Sequence, residues 1–291
     1  MHTLPSGIID VFASEALAGN PLAVVEGAEA LDDAQLRRVA GEFNQAETTF
    51  LLRSERADWK LRSFTASGAE VYGAGHNALG AWLWLAHEGR LGPLDQPTRF
   101  LQEIGDAVLP ITLERRDGQQ IHGRMLQSPL KLSAPLADVR ELSRALGIAA
   151  GDLLMHPPPR PADTGAAHLM VRVVGKQAVD RVSPNAEALL AVLRQADAEG
   201  CYVYAFEEDA PNTAYARFFN PTVGLWEDRA TGTAAGPLAA YLGHEGLLPD
   251  GTLRIEQGTK MGRPSFLQVR LRPEPELAGS GVLVFKGMLQ L

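Results

Sequence analysis

The chain holds a single cysteine, Cys201, in 291 residues. A lone thiol cannot close an internal disulfide, complete a cysteine-rich zinc site or form a C-x-x-C redox pair. The seven histidines are dispersed, and no H-x-x-x-H spacing offers a metal two ligands from one helix face. There is no G-x-S-x-G elbow for a nucleophilic serine. Basic residues are the minority: 27 Lys and Arg stand against 35 Asp and Glu, a formal net charge of -8. That balance argues against a nucleic-acid or anionic-membrane surface as the main business. The most apolar run, Leu79 to Ala86, is far too short to span a bilayer. Met1 to Pro5 carries no basic, apolar, small-residue signal pattern. A cytoplasmic protein with no nucleic-acid or membrane partner is the expectation.

What remains is an ordinary globular balance, 45% hydrophobic and 21% charged, enough for a sizeable core. Ile8 to Phe12 reads as a buried strand, and Leu22 to Val25 resumes an extended run after the Gly19-Asn20-Pro21 turn. Leu31, Leu36, Val39, Ala40 and Phe43 fall near helical spacing, which predicts a helix over 32–44 capped by Asp32 or Asp33. Thr48 to Leu52 and Trp59 to Phe64 are strand-like. Ala78 to His87 is apolar nearly all round and predicts a helix buried on most sides. Val108–Glu114 and Gln120–Met125 read as a hairpin turned at Arg116-Asp117-Gly118. Residues 126–136 lack a period and read as a linker, followed by a short helix at 138–147. His156-Pro157-Pro158-Pro159-Arg160-Pro161 is expected to be a surface excursion, neither helix nor central strand. A strand at 168–174, a helix at 185–197 and a strand at 201–206 follow. No repeating βαβ pattern runs through the chain, which weighs against a doubly wound sheet or a TIM barrel.

Self-comparison is more informative. Residues 62–85 and 217–242 align, with Arg62 on Arg217, Phe64 on Phe219 and, after a two-residue gap, Gly75 on Gly232. Each copy is a strand, a glycine turn and a buried helix. The other reading is coincidence in an Ala/Gly-rich chain; the repeat suggests two related halves, 1–125 with Glu47 and the Gly75-His76 helix start, and 126–291 with the helix start at Asp228 to Thr233. The last strand is a candidate to pair back with the first half. A helix beginning at a glycine presents backbone N–H groups and a partial positive charge, and lets a ligand approach closely. Two such termini suit a carboxylate or a developing enolate. Neither matches a P-loop or a dinucleotide fingerprint. The expected partner is a small anionic organic substrate.

Three side chains can carry chemistry. Glu47 lies between the helix at 32–44 and the strand at 48–52, where partial burial would suit it to move protons; the other reading is a solvated loop acid. His76 follows Gly75 and either donates to a substrate carboxylate or serves as a capping or core histidine. Asp228 either bonds a substrate amine or hydroxyl or complements the helix dipole. Thr231 and Thr233 read as backbone and hydroxyl caps rather than nucleophiles. Cys201 reads as inert packing.

In this order the residues resemble the PhzF-like family. The matching segments include Asp10-Val11-Phe12, Gly19-Asn20-Pro21, Asn44-Gln45-Ala46-Glu47-Thr48, Arg62-Ser63-Phe64-Thr65 and Gly75-His76-Asn77-Ala78-Leu79-Gly80. In the second half they are Asp228-Arg229-Ala230-Thr231-Gly232-Thr233-Ala234-Ala235 and Ile255-Glu256-Gln257-Gly258. The resemblance implies an α/β (α+β) fold like that of diaminopimelate epimerase. Two pseudo-symmetric halves would each wrap a curved, mostly antiparallel sheet around a central helix. It implies a cofactor-independent isomerase, similar to trans-2,3-dihydro-3-hydroxyanthranilate isomerase, with Glu47 as the proton shuttle. His76 and Asp228 would position the substrate, and Gly75, Gly232 and Thr233 would hold its carboxylate. No metal or organic cofactor is implied, and homodimers are usual. Tyr72 and Arg229 set this chain apart from the common family pattern. An epimerase or racemase, and a non-catalytic small-molecule-binding protein on the same scaffold, are the alternatives. The two-thiol epimerase chemistry is excluded by the single cysteine.

Overall fold

A computed structural model describes residues 3–116, 120–207, 210–223, 225–272 and 274–291. The chain divides into two compact units, Met1–Leu126 with Ala278–Leu291, and Gln127–Leu277.

The first unit runs β1 (Thr3–Val11), β2 (Asn20–Glu26), α1 (Asp33–Phe43), β3 (Glu47–Leu52), β4 (Trp59–Thr65), β5 (Glu70–Val71), α2 (His76–His87), β6 (Thr98–Ile104), β7 (Ala107–Arg116) and β8 (Gln120–Leu126). Helix α1 starts where the local chemistry dictates. Asp32 accepts from the Gln35 N–H at 2.8 Å and Gln35 accepts from the Asp32 N–H at 3.0 Å, a reciprocal cap. Its buried face, Leu36, Val39 and Ala40, packs with Phe50 and Phe64. Asn44 ends it in the left-handed region at φ 50°. Helix α2 begins two residues earlier than the apolar run predicts, because His76 and Asn77 are themselves buried in its first turn. Residues 76–85 are all buried, and α2 packs against β1, β2, β3, β4 and β8. A helix with no polar face needs walls on several sides. Gly80 permits one of these approaches, since a methyl there would lie 2.6 Å from Leu22 and 2.7 Å from Val11. The Trp82 indole donates to Gln102 at 3.0 Å, so its burial leaves no orphan donor. Strands β7 and β8 pair from Thr112↔Arg124 to Arg116↔Gln120. The expected turn residues Asp117 and Gly118 lie outside the described residues.

The second unit runs β9 (Lys131–Leu132), α3 (Val139–Leu146), β10 (Arg160–Asp163), β11 (Ala167–Arg172), α4 (Lys176–Arg181), α5 (Ala186–Ala196), β12 (Gly200–Glu207), β13 (Ala210–Asn220), β14 (Leu225–Asp228), α6 (Gly232–His244), β15 (Thr252–Gln257) and β16 (Ser265–Leu271). The last strand, β17 (Pro275–Gln290), pairs antiparallel with β1 from Val11↔Gly281 to Thr3↔Gln290. The linker expected over 126–136 contains β9, and the proline-rich excursion ends sooner than its composition predicts. Pro161 sits inside β10, which pairs with both β9 and β11. The missing proline donor is compensated locally. The Pro161 carbonyl accepts from Ser133 N–H at 3.2 Å, and the Ser133 carbonyl takes the Arg160 guanidinium instead of a proline N–H.

The two units share one connectivity. In the first, β2–β3 and β4–β6 are parallel pairs, while β1–β2, β3–β4, β4–β5 and β6–β7 are antiparallel. In the second, β11–β12 and β13–β15 are parallel, while β10–β11, β12–β13, β13–β14 and β15–β16 are antiparallel. Among the described residues each unit thus has two helical crossovers, contrary to the sequence expectation that no repeating βαβ pattern runs through the chain. Hairpin strands such as β5 and β14 interrupt the alternation and hide it. The alignment of Arg62 with Arg217 has a physical basis. Arg62 grips Glu70 through Nε and Nη2, both at 2.8 Å, and Arg217 grips Glu227 at 2.7 and 2.8 Å. Each guanidinium also lies over the aligned phenylalanine, 5.1 Å from the Phe64 ring centre and 4.9 Å from that of Phe219. Both central helices end alike, at His87-Glu88-Gly89 and His244-Glu245-Gly246, with Gly89 and Gly246 at φ 68° and 73°.

Candidate functional site

In the first unit Glu47 opens β3 rather than lying in a loop before it. Its Oε2 is 2.8 Å from Nε2 of His76, the first residue of α2. The His76 side chain is 8% exposed and that of Glu47 18% exposed, so the pair is covered yet reachable. That close approach puts the carboxylate against the helix start.

That start is shaped by Asn77, which the sequence reading placed only within the family motif. Asn77 Oδ1 accepts from Gly75 N–H at 2.9 Å, and its Nδ2 donates to the Gly73 carbonyl at 2.9 Å and to Ser63 Oγ at 3.1 Å. The hydroxyls of Ser63 and Thr49 share a hydrogen bond of 2.9 Å. One buried amide thus ties the Gly73–Gly75 turn to β3 and β4, and the buried position of Asn77 beside His76 is the signal that would have found it. Gly75 is the helix cap, and Asn77 takes its N–H. The first helical bond runs from Leu79 N–H to its carbonyl at 3.1 Å. The backbone N–H groups of His76, Asn77 and Ala78 therefore lie outside the helical ladder, at the positive end of the dipole.

In the second unit Asp228 ends β14 and is buried. Thr231 Oγ1 donates to its Oδ2 at 2.6 Å. Thr231 occupies the cap position of α6 but its hydroxyl caps nothing there. The expectation that both threonine hydroxyls cap the helix is therefore corrected. The Thr231 hydroxyl serves Asp228, and the Thr233 hydroxyl bonds His168 Nε2 at 3.3 Å.

Gln257 holds this turn as Asn77 holds the first. Its Nε2 donates to the Asp228 carbonyl at 2.8 Å and to Thr231 Oγ1 at 3.0 Å. Its Oε1 accepts from Tyr202 OH at 2.8 Å and from Thr231 N–H at 3.2 Å. All four bonding positions of a fully buried amide are used, which accounts for the glutamine in the Ile255-Glu256-Gln257-Gly258 motif. Behind the helix start, Gln127 donates to the Gly232 carbonyl at 2.9 Å and accepts from Thr164 at 2.8 Å.

Glu47, His76 and Gly75 are brought together in the first unit. In the second, Asp228 joins Thr231, and Thr233 joins a histidine that the sequence reading missed. Among the described residues no cluster of three or more His, Cys, Asp or Glu side chains could hold a metal ion. Cys201 is fully buried, and desolvation pushes its thiol far above the ordinary range. It cannot supply a thiolate base. Among the described residues no helix is long and apolar enough to cross a membrane.

A family model described as phenazine biosynthesis-like protein matches residues 9–287. The chain is 34% identical over 292 residues to trans-2,3-dihydro-3-hydroxyanthranilate isomerase of Pseudomonas fluorescens, covering 98% of each. It is 31% identical over 299 residues to an uncharacterized isomerase of Clostridium acetobutylicum, covering 97% of each. A crystal structure of a PhzF-family phenazine biosynthesis protein from Bacillus anthracis superposes with a TM-score of 0.87 at 25% identity, over the full length of both chains. A hydroxyproline epimerase from Agrobacterium vitis gives 0.69 at 14% identity, over 99% of this chain and 91% of that one. At that identity the likeness concerns the mixed α/β fold alone.

Proposed function

Because the chain belongs to the phenazine biosynthesis-like family and is an isomerase, we propose that it moves a proton between two carbons of a small carboxylic-acid substrate, with Glu47 as acid and base and no cofactor. The observation that carries this reading is the Glu47 carboxylate held 2.8 Å from His76 Nε2 at the start of a buried helix. The carboxylate takes a proton from one carbon, and the electron pair left behind delocalises toward the substrate carboxylate. The same carboxyl group returns the proton to a second carbon, so the double bond moves and nothing is gained or lost. His76 keeps Glu47 oriented through both steps. Gly232 and Thr233 hold the substrate carboxylate with backbone N–H groups, Gly75, whose own N–H is taken by Asn77, lets the substrate approach the helix start closely, and Asp228 accepts from an amine or hydroxyl on the substrate. Positioned proton transfer of this kind contributes roughly 10²- to 10⁴-fold.

The test is solvent exchange. A panel of unsaturated carboxylic acids, beginning with trans-2,3-dihydro-3-hydroxyanthranilate, is incubated with the protein in deuterium oxide. Deuterium enters product with the wild-type protein, and Glu47→Gln lowers the rate by roughly 10²-fold or more. Exchange retained in Glu47→Gln removes Glu47 from the mechanism. A ligand bound and released without exchange by the wild type favours a binding protein.

A further inference from the structure

His168 lies on β11, is 2% exposed, and takes no part in the proposed proton transfer. Its Nε2 is 3.3 Å from Thr233 Oγ1, and its Nδ1 has no hydrogen-bond partner among the described residues. The ring is fixed by its neighbours. Phe218 meets it edge-on, with ring centres 4.9 Å apart and planes at 84°. Gly200, paired with His168 across β11 and β12, leaves room for this, because a Cβ there would lie 2.4 Å from the Phe218 ring.

The internal repeat gives this contact its meaning. The alignment that puts Gly75 on Gly232 puts His76 on Thr233. Strand register puts Glu47 on Gly200, because Phe50 faces Arg62 as Val203 faces Arg217. Leu22 then corresponds to His168 through the β2–β3 and β11–β12 ladders. In each unit the residue after the helix-start glycine is met by one strand side chain, His76 by Glu47 and Thr233 by His168, but the two partners come from neighbouring, non-equivalent strands: where the first unit has Glu47 the second has Gly200, and where the second has His168 the first has Leu22.

We propose that His168 is a positioning residue that donates from Nε2 to Thr233 Oγ1 and so turns the threonine hydroxyl outward as a hydrogen-bond donor to the anionic oxygen of the substrate. This rests on the reading of Thr233 as a substrate-binding residue. A neutral imidazole carries one donor and one acceptor. A buried N–H without a partner is rarer than a buried acceptor without one, which places the proton on Nε2 and leaves Nδ1 bare. Burial also drives the His168 pKa down to about 4, against a smaller opposing influence of Asp163, so the ring is neutral at neutral pH. With its lone pair engaged by His168, the Thr233 hydroxyl hydrogen is available to the ligand. Together with the Thr233 backbone N–H at the second position of α6, it makes a paired donor for a carboxylate or enolate oxygen.

The experiment is a double-mutant cycle with an independent spectroscopic arm. His168→Leu lowers kcat/KM by about 10- to 100-fold, the range for one hydrogen bond to a charged group. His168→Gln, whose amide reaches the same position, recovers most of it. In a Thr233→Val background His168→Leu has less than about a threefold further effect, because coupled residues are not additive. In ¹⁵N spectra of the wild-type protein at neutral pH, His168 appears as the Nε2–H tautomer, and its signals move in Thr233→Val. Unchanged kinetics in His168→Leu, additive losses in the cycle, or an Nδ1–H tautomer each overturn the proposal. Failure of the underlying reading shows separately, as Thr233→Val keeping the wild-type kcat/KM, and the tautomer still decides whether His168 donates to Thr233.

Discussion

The duplicated arginine–glutamate grip allows one perturbation to be made twice in the same chain. The Arg217 side chain is 8% exposed and Glu227 11%, against 22% for Arg62 and 17% for Glu70. Their third contacts differ more. Arg217 Nη1 donates to the carbonyls of Val179, Asp180 and Val182, at 3.1, 3.3 and 2.7 Å, and so closes the end of α4. Arg62 Nη1 reaches instead to Asp33, a largely exposed carboxylate, at 2.7 Å. Arg217→Met leaves a largely covered carboxylate uncompensated and three carbonyls without their donor, a loss of roughly 3–5 kcal/mol. Arg62→Met leaves partners that water can reach, and solvent screening reduces its loss to roughly 1–2 kcal/mol. At about 2–4 °C per kcal/mol for chains of this size, the first variant melts roughly 6–20 °C lower and the second roughly 2–8 °C lower. Urea denaturation of both variants measures the difference, and 1 M salt narrows the gap between wild type and Arg62→Met more than that for Arg217→Met. Equal losses from the two variants would refute the claim that burial and the extra carbonyls set the cost. So would a larger loss from Arg62→Met.

Two further outcomes follow from buried groups of the second unit. The folded state holds His168 at a pKa of about 4, below its usual value of 6.5. The unfolded chain therefore binds the extra proton first, and stability present above pH 6.5 is lost as pH falls toward 4. Between pH 7 and 4.5 the wild type loses about 2 kcal/mol more than His168→Gln, read from urea midpoints at each pH. Parallel pH profiles would show that the ring is not held neutral by the fold. Cys201 is fully buried with its thiol pushed up by desolvation, so a disulfide reagent labels it only after unfolding. Rapid labelling of the native protein would contradict that burial, and Cys201→Ala is expected to keep full activity.

Local chemistry made much of this protein legible. The Asp32 cap, the buried helix after Gly75 and the second helix after Gly232 follow from spacing, capping and apolar character, which neighbouring residues carry. Pro161 was misjudged because its compensation comes from Ser133 and Arg160, whose meeting no local rule encodes. The crossovers were hidden for a similar reason, since β5 and β14 stand between the strands that pair in parallel.

The sequence by itself determined that the chain is a duplicated unit, that one cysteine excludes two-thiol chemistry, and that Glu47, His76, Asp228 and Thr233 stand at element boundaries. These properties reside in composition and in the order of residues along the chain. Only the tertiary structure decided what those side chains touch. It set Glu47 against His76, Thr231 against Asp228 and Thr233 against His168, and gave Arg62 and Arg217 their glutamates. Each of these contacts depends on which strand lies beside which and in what register. A register shift of one residue would turn the strand side chain to the opposite face of its sheet and break the contact. That register is settled by packing around the two central helices, so the chemistry of each helix start belongs to the fold rather than to its motif.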